Sequence, residues 1–113
     1  MIKIYGIKNC DSVKKAVKFF KEHDLAYELF DFKKEELPCQ KIEEWSKKVT
    51  IKTLFNARST TYRKLKLKEL NLDETEQKEW LCKENLLIKR PVVEYDNELF
   101  VGFNEEVYKR SFL

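Results

Sequence analysis

The sequence has few glycines and prolines, which break helices and strands, and few histidines and cysteines, which bind metals or form disulfides. Its 113 residues include two glycines, two prolines and one histidine. So few glycines and prolines argue against long linkers. With His23 alone and no Cys-x-x-Cys spacing, the sequence argues against a structural zinc site. It also argues against a Cys–His catalytic pair, unless His23 folds back onto Cys10. Three widely spaced cysteines, an odd number, do not predict a disulfide framework.

The chain also lacks long apolar runs and an excess of one charge. No apolar stretch approaches the roughly 20 residues that span a bilayer, and no secretory signal is recognisable at the N-terminus. These features predict a cytoplasmic protein without a membrane partner. The 23 basic and 20 acidic residues give a net charge of +3. Because nucleic-acid binders carry a concentrated basic face, this balance does not favour nucleic acid as a partner.

The apolar pattern at the N-terminus predicts two strands joined by a helix. Ile2–Tyr5 and Ala26–Phe32 are rich in β-branched, aromatic and other apolar residues, which is typical of strands. Between them, the apolar spacing predicts a helix from Asp11 to His23, capped by Asp11 or Ser12. Its inward residues are predicted to be Val13, Ala16, Val17 and Phe20. A strand–helix–strand unit of about thirty residues favours parallel strands in a right-handed crossover.

The rest of the chain predicts a helical insertion followed by a hairpin and a last helix. The insertion is expected over residues 36–84 or so and consists of short helices. These are predicted at Gln40–Lys48, at Thr61–Leu70 and from Asp73 to Glu84. A capping box formed by Asp73 and Glu76 begins the last of them. After the insertion, Asp96-Asn97 marks a hairpin turn between two strands, Val92–Tyr95 and Leu99–Val101. Asn104 is then positioned to cap a helix over Glu105–Phe112. This order predicts one α/β domain over residues 1–113, a thioredoxin-like fold with a mixed four-stranded sheet and a helical insertion.

Cys10 lies at the predicted junction of the first strand and the first helix. At such a junction, free backbone N–H groups and the positive end of the helix dipole stabilise a thiolate, which is the nucleophilic form of cysteine. The alternative is a small apolar side chain that is simply buried. Position in the predicted fold favours the reactive interpretation. Cys39 and Cys82 are interpreted as structural or incidental, and neither is placed by the sequence to resolve Cys10.

Two arginines are candidates for holding an anion beside this thiol. Arg58 lies in a polar break between helical segments, and Arg90 directly precedes a strand. Arginine is favoured over lysine because its planar guanidinium matches oxyanions and keeps its charge. A solvated surface position is the alternative for each. The Arg90-Pro91 bond is predicted to be a cis peptide, which would fix the chain close to the sulfur.

Motifs across nearly the whole chain resemble the arsenate reductase-like (ArsC/Spx/YffB) family, closest to its YffB-like branch. They are Tyr5-Gly6-Ile7-Lys8-Asn9-Cys10-Asp11-Ser12-Val13-Lys14-Lys15-Ala16, Asn56-Ala57-Arg58, Leu87-Ile88-Lys89-Arg90-Pro91-Val92-Val93 and Val101-Gly102-Phe103-Asn104-Glu105. The resemblance implies that Cys10 is the catalytic nucleophile, helped by Arg58 and Arg90. It also implies glutathione as a co-substrate, bound near Asn9, Arg58, Arg90 and Pro91, with glutaredoxin as a partner. The substrate would be a small oxyanion or a disulfide, with no metal and no tightly bound cofactor.

Two departures from the family pattern narrow the expected function. Phe103 stands where the arsenate reductases have a third arginine, which predicts poor turnover of arsenate. Val13 stands three residues after Cys10, so a Cys-x-x-Cys redox switch of the kind found in Spx regulators is impossible. The main prediction is a glutathione- or glutaredoxin-coupled thiol oxidoreductase. The alternative is an Spx-like transcriptional regulator that binds RNA polymerase without that switch.

Overall fold

The computed structural model describes all residues from Met1 to Leu113, which form two compact units. The sheet unit comprises Met1–Lys33 and Arg90–Leu113, and the helical unit comprises Lys34–Lys89. The insertion predicted over residues 36–84 falls inside the helical unit, while the single-domain organisation stays a prediction. None of the helices combines the length and the apolar character needed to cross a membrane.

The elements follow the predicted order of strand, helix, strand, several helices, hairpin and helix. In chain order they are β1 Ile2–Gly6, α1 Asp11–Glu22, β2 Tyr27–Asp31, α2 Cys39–Ser46, α3 Ile51–Leu54, α4 Thr60–Lys64, α5 Glu74–Lys83, β3 Val92–Tyr95, β4 Glu98–Val101 and α6 Glu105–Phe112. Short 3₁₀ turns occupy Leu67–Leu70 and Asn85–Leu87. The strands lie in the order β2-β1-β3-β4. Strand β1 is parallel to β2 and antiparallel to β3, which pairs antiparallel with β4. The predicted mixed four-stranded sheet is confirmed.

Helices α1 and α6 share the core of the sheet unit with one face of the sheet. Tyr108 is almost fully buried, and its ring packs against a set of phenylalanines from α1, β4, α6 and the segment after β4: Phe19, Phe20, Phe100, Phe112 and Phe103. Of the residues predicted to face inward, Val13, Ala16 and Phe20 are buried, and Val17 is half-buried. Phe19 is also buried, because the wide apolar stripe of α1 reaches α6 as well as the sheet.

The cap predicted for α1 is wrong. The residue that precedes the helix is Cys10, with extended backbone (φ −124°, ψ 127°), and no side chain caps the first turn. The helix begins there because the Cys10 carbonyl oxygen accepts the N–H of Lys14 at 2.9 Å. Asp11 and Ser12 therefore lie inside the first turn rather than before it. At α6 the prediction is confirmed: the Asn104 side chain accepts the N–H of Val107 at 3.2 Å.

The hairpin turn is also confirmed. Asp96 and Asn97 both have left-handed backbone, with φ of 50° and 64°. Two successive positive φ values are typical of the type I′ turn, whose twist matches the strands that it joins. Asparagine and aspartate tolerate this conformation better than most residues. The sequence signal and the geometry of the turn therefore agree.

The helical unit is held by caps and by a few buried polar contacts. The Asp73–Glu76 capping box at α5 is confirmed, with Asp73 Oδ1 accepting the Glu76 N–H at 2.8 Å. Asn85 is buried; its side chain accepts the Leu37 N–H at 2.8 Å and donates to the Leu81 carbonyl at 3.0 Å. The prediction of one continuous helix over Thr61–Leu70 is wrong. The chain turns at Lys66, whose φ of 53° lies outside the helical region, and a separate 3₁₀ turn follows.

Cys39 and Cys82 form a disulfide, so the expectation that the cysteines make no bridge is wrong. Their Cα atoms lie 4.9 Å apart although 43 residues separate them along the chain. The bond joins the first residue of α2 to the last turn of α5. A separation of this length leaves no spacing signal, because the pairing depends on how the two helices pack against each other. Cys10 is then the free thiol of the chain.

Candidate active site

Three segments of the sheet unit meet at one end of the sheet because of the strand directions. Strand β1 runs toward Cys10, β3 runs away from the same end, and β4 runs back to it. The residues that follow β1, precede β3 and follow β4 therefore lie at this end. They include Cys10, Arg90 and Phe103. The topology places the predicted nucleophile and one predicted cation together at one end of the sheet.

Cys10 is half-buried and lies where α1 leaves its first N–H groups open. The first intrahelical hydrogen bond runs from the Lys14 N–H to the Cys10 carbonyl. The N–H groups of the three residues before Lys14 have no partner within the helix, and no side chain caps them. The apolar side of Cys10 packs against the core of the sheet unit. This combination gives the thiol a fixed position, an open side and nearby positive dipoles.

The predicted cis bond between Arg90 and Pro91 is confirmed. Pro91 is buried and lies one residue before the β3 position that pairs with Tyr5. Its carbonyl oxygen accepts the N–H of Gly102 at 2.7 Å, and Gly102 has a φ of 82°. The segments before β3 and after β4 are thus joined by a backbone hydrogen bond. Arg90, half-buried, lies directly beside this fixed point.

Phe103, which the family resemblance predicts to stand in place of a third arginine, is directed into the core. Its ring packs edge-on against Tyr108, with centroids 5.0 Å apart. The Tyr108 hydroxyl donates to the Gly102 carbonyl at 3.0 Å, and burial raises the pKa of this hydroxyl well above its ordinary value. The phenol therefore stays neutral and keeps its proton for this bond. Between them, the ring and the hydroxyl hold the segment after β4 in place.

Gly6 is a supporting residue that sequence reasoning missed. A Cβ atom added at this position would lie 2.6 Å from Cγ2 of Val13, a buried residue in the first turn of α1. The end of β1 and the start of α1 approach each other so closely that only glycine fits. Because Cys10 lies in the short connection between them, this approach sets its position. The signal was available in the sequence as one of only two glycines.

Asn9 and Arg58, the other predicted site residues, are both exposed to solvent. Asn9 is exposed in the turn before α1. Arg58 is exposed in the helical unit, where its backbone N–H donates to Asn56 Oδ1 at 3.0 Å and its carbonyl accepts from the Arg63 guanidinium at 3.5 Å. Because Arg58 and Cys10 belong to different units, the role of Arg58 at the thiol stays a prediction. No group of three or more histidine, cysteine, aspartate or glutamate side chains converges as a metal site would require.

A free thiol at the start of the first helix, with a cis-proline at the same end of a mixed sheet, defines a thioredoxin-like protein. The chain matches the ArsC family over residues 5–111, and it belongs to that family. A solved YffB protein is similar over 100% of both chains, with 32% identity and a TM-score of 0.91. An arsenate reductase related protein from Brucella melitensis is 37% identical, covering 98% of this chain and 93% of its own, with a TM-score of 0.75.

A regulator is also similar to the chain. The global transcriptional regulator Spx of Listeria innocua is 29% identical over 97% of this chain and 86% of its own length. The predicted family and the thioredoxin-like fold are confirmed by these comparisons. The relatives thus include both an arsenate reductase related protein and a global transcriptional regulator.

Proposed function

We propose that this protein is a glutathione-dependent thiol oxidoreductase in which Cys10 is the nucleophile. The observation that carries the proposal is the location of the free cysteine, half-buried at the uncapped start of α1. It lies at the same end of the sheet as Arg90 and the cis-proline Pro91. The half-buried position of Cys10 leaves its thiol an open side from which it can attack a substrate sulfur.

The proposed reaction is a pair of thiol–disulfide exchanges. The Cys10 thiolate attacks the glutathione sulfur of a mixed disulfide; the substrate S–S bond breaks, and the released thiolate takes up a proton. A disulfide now joins Cys10 to glutathione. A second glutathione thiolate, free or delivered through glutaredoxin, attacks the glutathione sulfur of this adduct, which releases glutathione disulfide and restores the Cys10 thiolate. In the net reaction one glutathione thiol and the mixed disulfide become the free substrate thiol and glutathione disulfide.

Arg90 and Arg58 have the chemistry to orient glutathione in this scheme. Glutathione carries two carboxylates, and a guanidinium binds a carboxylate through two parallel hydrogen bonds. Pro91 and Asn9 would border the bound peptide, as the family resemblance implies. Arsenate, a compact oxyanion, needs more positive charge around the sulfur, and Phe103 offers an aromatic ring directed into the core instead. We therefore assign arsenate a minor place among the substrates.

A coupled assay tests this function directly. Purified protein is given the mixed disulfide of glutathione and 2-mercaptoethanol, with glutathione, glutathione reductase and NADPH, and a parallel reaction contains arsenate and glutaredoxin. We expect disulfide turnover and little arsenate turnover, with Phe103→Arg raising arsenate turnover about tenfold, the equivalent of one added charge-assisted contact. Brisk arsenate reduction by the unaltered protein, with no gain from Phe103→Arg, would contradict the assignment.

A second candidate is regulation through RNA polymerase, favoured by the similarity to Spx over 97% of the chain. Val13 excludes a Cys-x-x-Cys switch in the first turn of α1, so such a regulator would act independently of that redox pair. A pull-down of purified RNA polymerase with the protein, repeated with Cys10→Ser, separates the two candidates. Retention of polymerase by both proteins, together with no disulfide turnover, would favour the regulator.

A further inference from the structure

A groove runs between α1 and strand β2 in the sheet unit. Its volume is about 650 Å³, and its floor is apolar, formed by Val13, Val17, Tyr27 and Leu29. Lysines stand along its border: Lys8, Lys14, Lys18 and Lys21. One acidic residue, Glu22, also borders the groove, and it pairs weakly with Lys18 at 3.7 Å. The groove therefore combines an apolar floor with an excess of positive charge.

The groove adjoins an open sheet edge. Strand β2 pairs only with β1 and ends the sheet on that side. The Phe32 N–H donates to the Gly6 carbonyl at 2.8 Å, so the N–H of Phe32 points toward β1. Because backbone groups alternate along a strand, the N–H and C=O groups of Tyr27 and Leu29 point away from β1. Tyr27 and Leu29, the two floor residues that belong to β2, thus also present unpaired backbone groups at the edge.

We propose that this edge is a docking site for an extended acidic segment of a partner protein, which adds to β2 as a fifth strand. The outward backbone groups of Tyr27 and Leu29 pair with the segment. On the side of the segment that faces α1, an apolar side chain packs on Val17 and Leu29, and the acidic side chains two residues before and two residues after it meet Lys14 and Lys21, which make no ion pair within the protein. Addition of a strand to a sheet edge is a general mode of peptide recognition, in which main-chain bonds give affinity and alternate side chains give specificity.

Charge decides the kind of partner. An amphipathic helix would use the apolar floor but would leave the backbone groups of the β2 edge unpaired. A basic segment would be repelled by the lysines, since like charges brought together at an interface cost affinity. An acidic extended segment satisfies the floor, the edge and the lysines together. Because Lys14 lies one helical turn after Cys10, one end of the docked segment lies near the thiol end of the sheet.

Peptide binding tests the proposal with the intact chain. The probe is a fluorescein-labelled peptide of sequence Thr-Glu-Thr-Leu-Thr-Glu-Thr, in which the leucine and both glutamates share one face of an extended strand. Its binding is followed by fluorescence anisotropy at low and moderate salt. We expect saturable binding that weakens with salt, and a loss of about tenfold in affinity for Lys14→Glu/Lys21→Glu, since charge reversals at an interface both remove attraction and add repulsion. The matched control is Lys15→Glu/Lys52→Glu, which makes the same change in net charge at exposed positions outside the groove.

A second measurement examines the backbone pairing. Hydrogen exchange at the amides of Tyr27 and Leu29 is expected to slow when the peptide is bound, and a peptide N-methylated at alternate residues is expected to bind at least about tenfold more weakly, having lost its main-chain donors. Absence of binding, equal losses in the two double variants, or equal binding of the N-methylated peptide would each overturn the proposal. In those cases the lysines would serve only to keep the open edge from pairing with other chains.

Discussion

The sheet unit and the helical unit are stabilised by different means, and their cysteines follow the same division. In the sheet unit, a hydrogen-bonded ladder and a cluster of aromatic rings around Tyr108 form a continuous core. In the helical unit, four short helices depend on caps, on the buried amide of Asn85 and on the Cys39–Cys82 bond. The cross-linked thiols lie in the unit of short helices, and the free thiol lies in the unit with the extended core.

This division has a chemical consequence. A thiol that must react cannot also be cross-linked, so a reactive site needs its position fixed by other means. At Cys10 the strand β1, the close approach at Gly6 and the first turn of α1 supply that positioning. The helical unit has no comparable sheet, and a disulfide holds α2 to α5 instead. The contrast between the two units can therefore be tested by changing each cysteine in turn.

The largest effect is expected from Cys10→Ser. A hydroxyl is a far weaker nucleophile than a thiolate, so disulfide turnover should fall about a thousandfold or more, to the background level. Stability should change little, because serine has nearly the same size and Cys10 is only half-buried. Turnover is measured in the coupled glutathione assay and stability by urea unfolding. The control Cys39→Ala/Cys82→Ala keeps Cys10 and should retain activity; a loss in the control alone would reverse the assignment of the thiols.

The second-largest effect is the loss of stability that we expect from Cys39→Ala/Cys82→Ala. Removing a bond that closes a loop of 43 residues should lower the free energy of unfolding by about 2–4 kcal/mol, because the unfolded chain gains conformational freedom. Hydrogen exchange should quicken first in α2 and α5, the helices that the bond joins. Addition of a reductant to the unaltered protein should reproduce the change. Uniform quickening throughout the sheet unit would show that the two units do not differ as described.

The third effect concerns the close approach beside the thiol. Gly6→Ala places a methyl group 2.6 Å from Val13 Cγ2, and we expect a loss of about 1–3 kcal/mol in the free energy of unfolding. Disulfide turnover should fall as well, since the start of α1 must shift. The double variant Gly6→Ala/Val13→Ala restores the space. It should therefore be more stable than the sum of the two single changes predicts; strict additivity would mean that this contact does not set the geometry.

The comparison between units also shows which features of the fold could be predicted from the sequence. The elements of the sheet unit were predictable because periodicity, the Asp96-Asn97 turn and the Asn104 cap are local signals. The placement of Cys10 with Arg90 followed once the strand directions were assigned. The Cys39–Cys82 bond had no local signal, since it depends on the packing of helices distant in sequence. The break at Lys66 was missed because lysine does not usually adopt left-handed backbone.

The site was predictable to a similar degree. The Arg90–Pro91 cis bond could be inferred from a proline that leads into a strand beside a thiol. The residue at the N-terminal cap of α1 could not be inferred in this way, because Asp11 and Ser12 are both good capping residues. Only the backbone conformation shows that Cys10 occupies the position before the first helical residue. Arg58 is recognisable by residue type, but its relation to the thiol depends on tertiary arrangement. Local chemistry was thus read more reliably than contacts between distant segments.

The smallest effect is expected from Tyr108→Phe. The variant loses the hydrogen bond to the Gly102 carbonyl, which should lower the free energy of unfolding by about 1 kcal/mol near neutral pH. At high pH this difference should shrink. Burial raises the pKa of the Tyr108 hydroxyl in the folded protein, whereas in the unfolded chain the hydroxyl ionises near pH 10. Above that pH the unfolded state binds fewer protons than the folded state, so the unaltered protein loses stability as the pH rises from about 10 toward the raised value.

Phenylalanine has no proton to lose, so Tyr108→Phe lacks this part of the alkaline destabilisation. Urea unfolding at pH values from 7 to 11 or so should therefore show the two stability curves converging as the pH passes the ordinary tyrosine value. The control is Tyr95→Phe, which removes a hydroxyl from an exposed ring, 38% accessible, in the same unit. Its curve should follow that of the unaltered protein. Parallel curves for Tyr108→Phe would mean that the hydroxyl is not held in the neutral form, and that the segment after β4 owes its position to the Phe103 and Tyr108 rings alone.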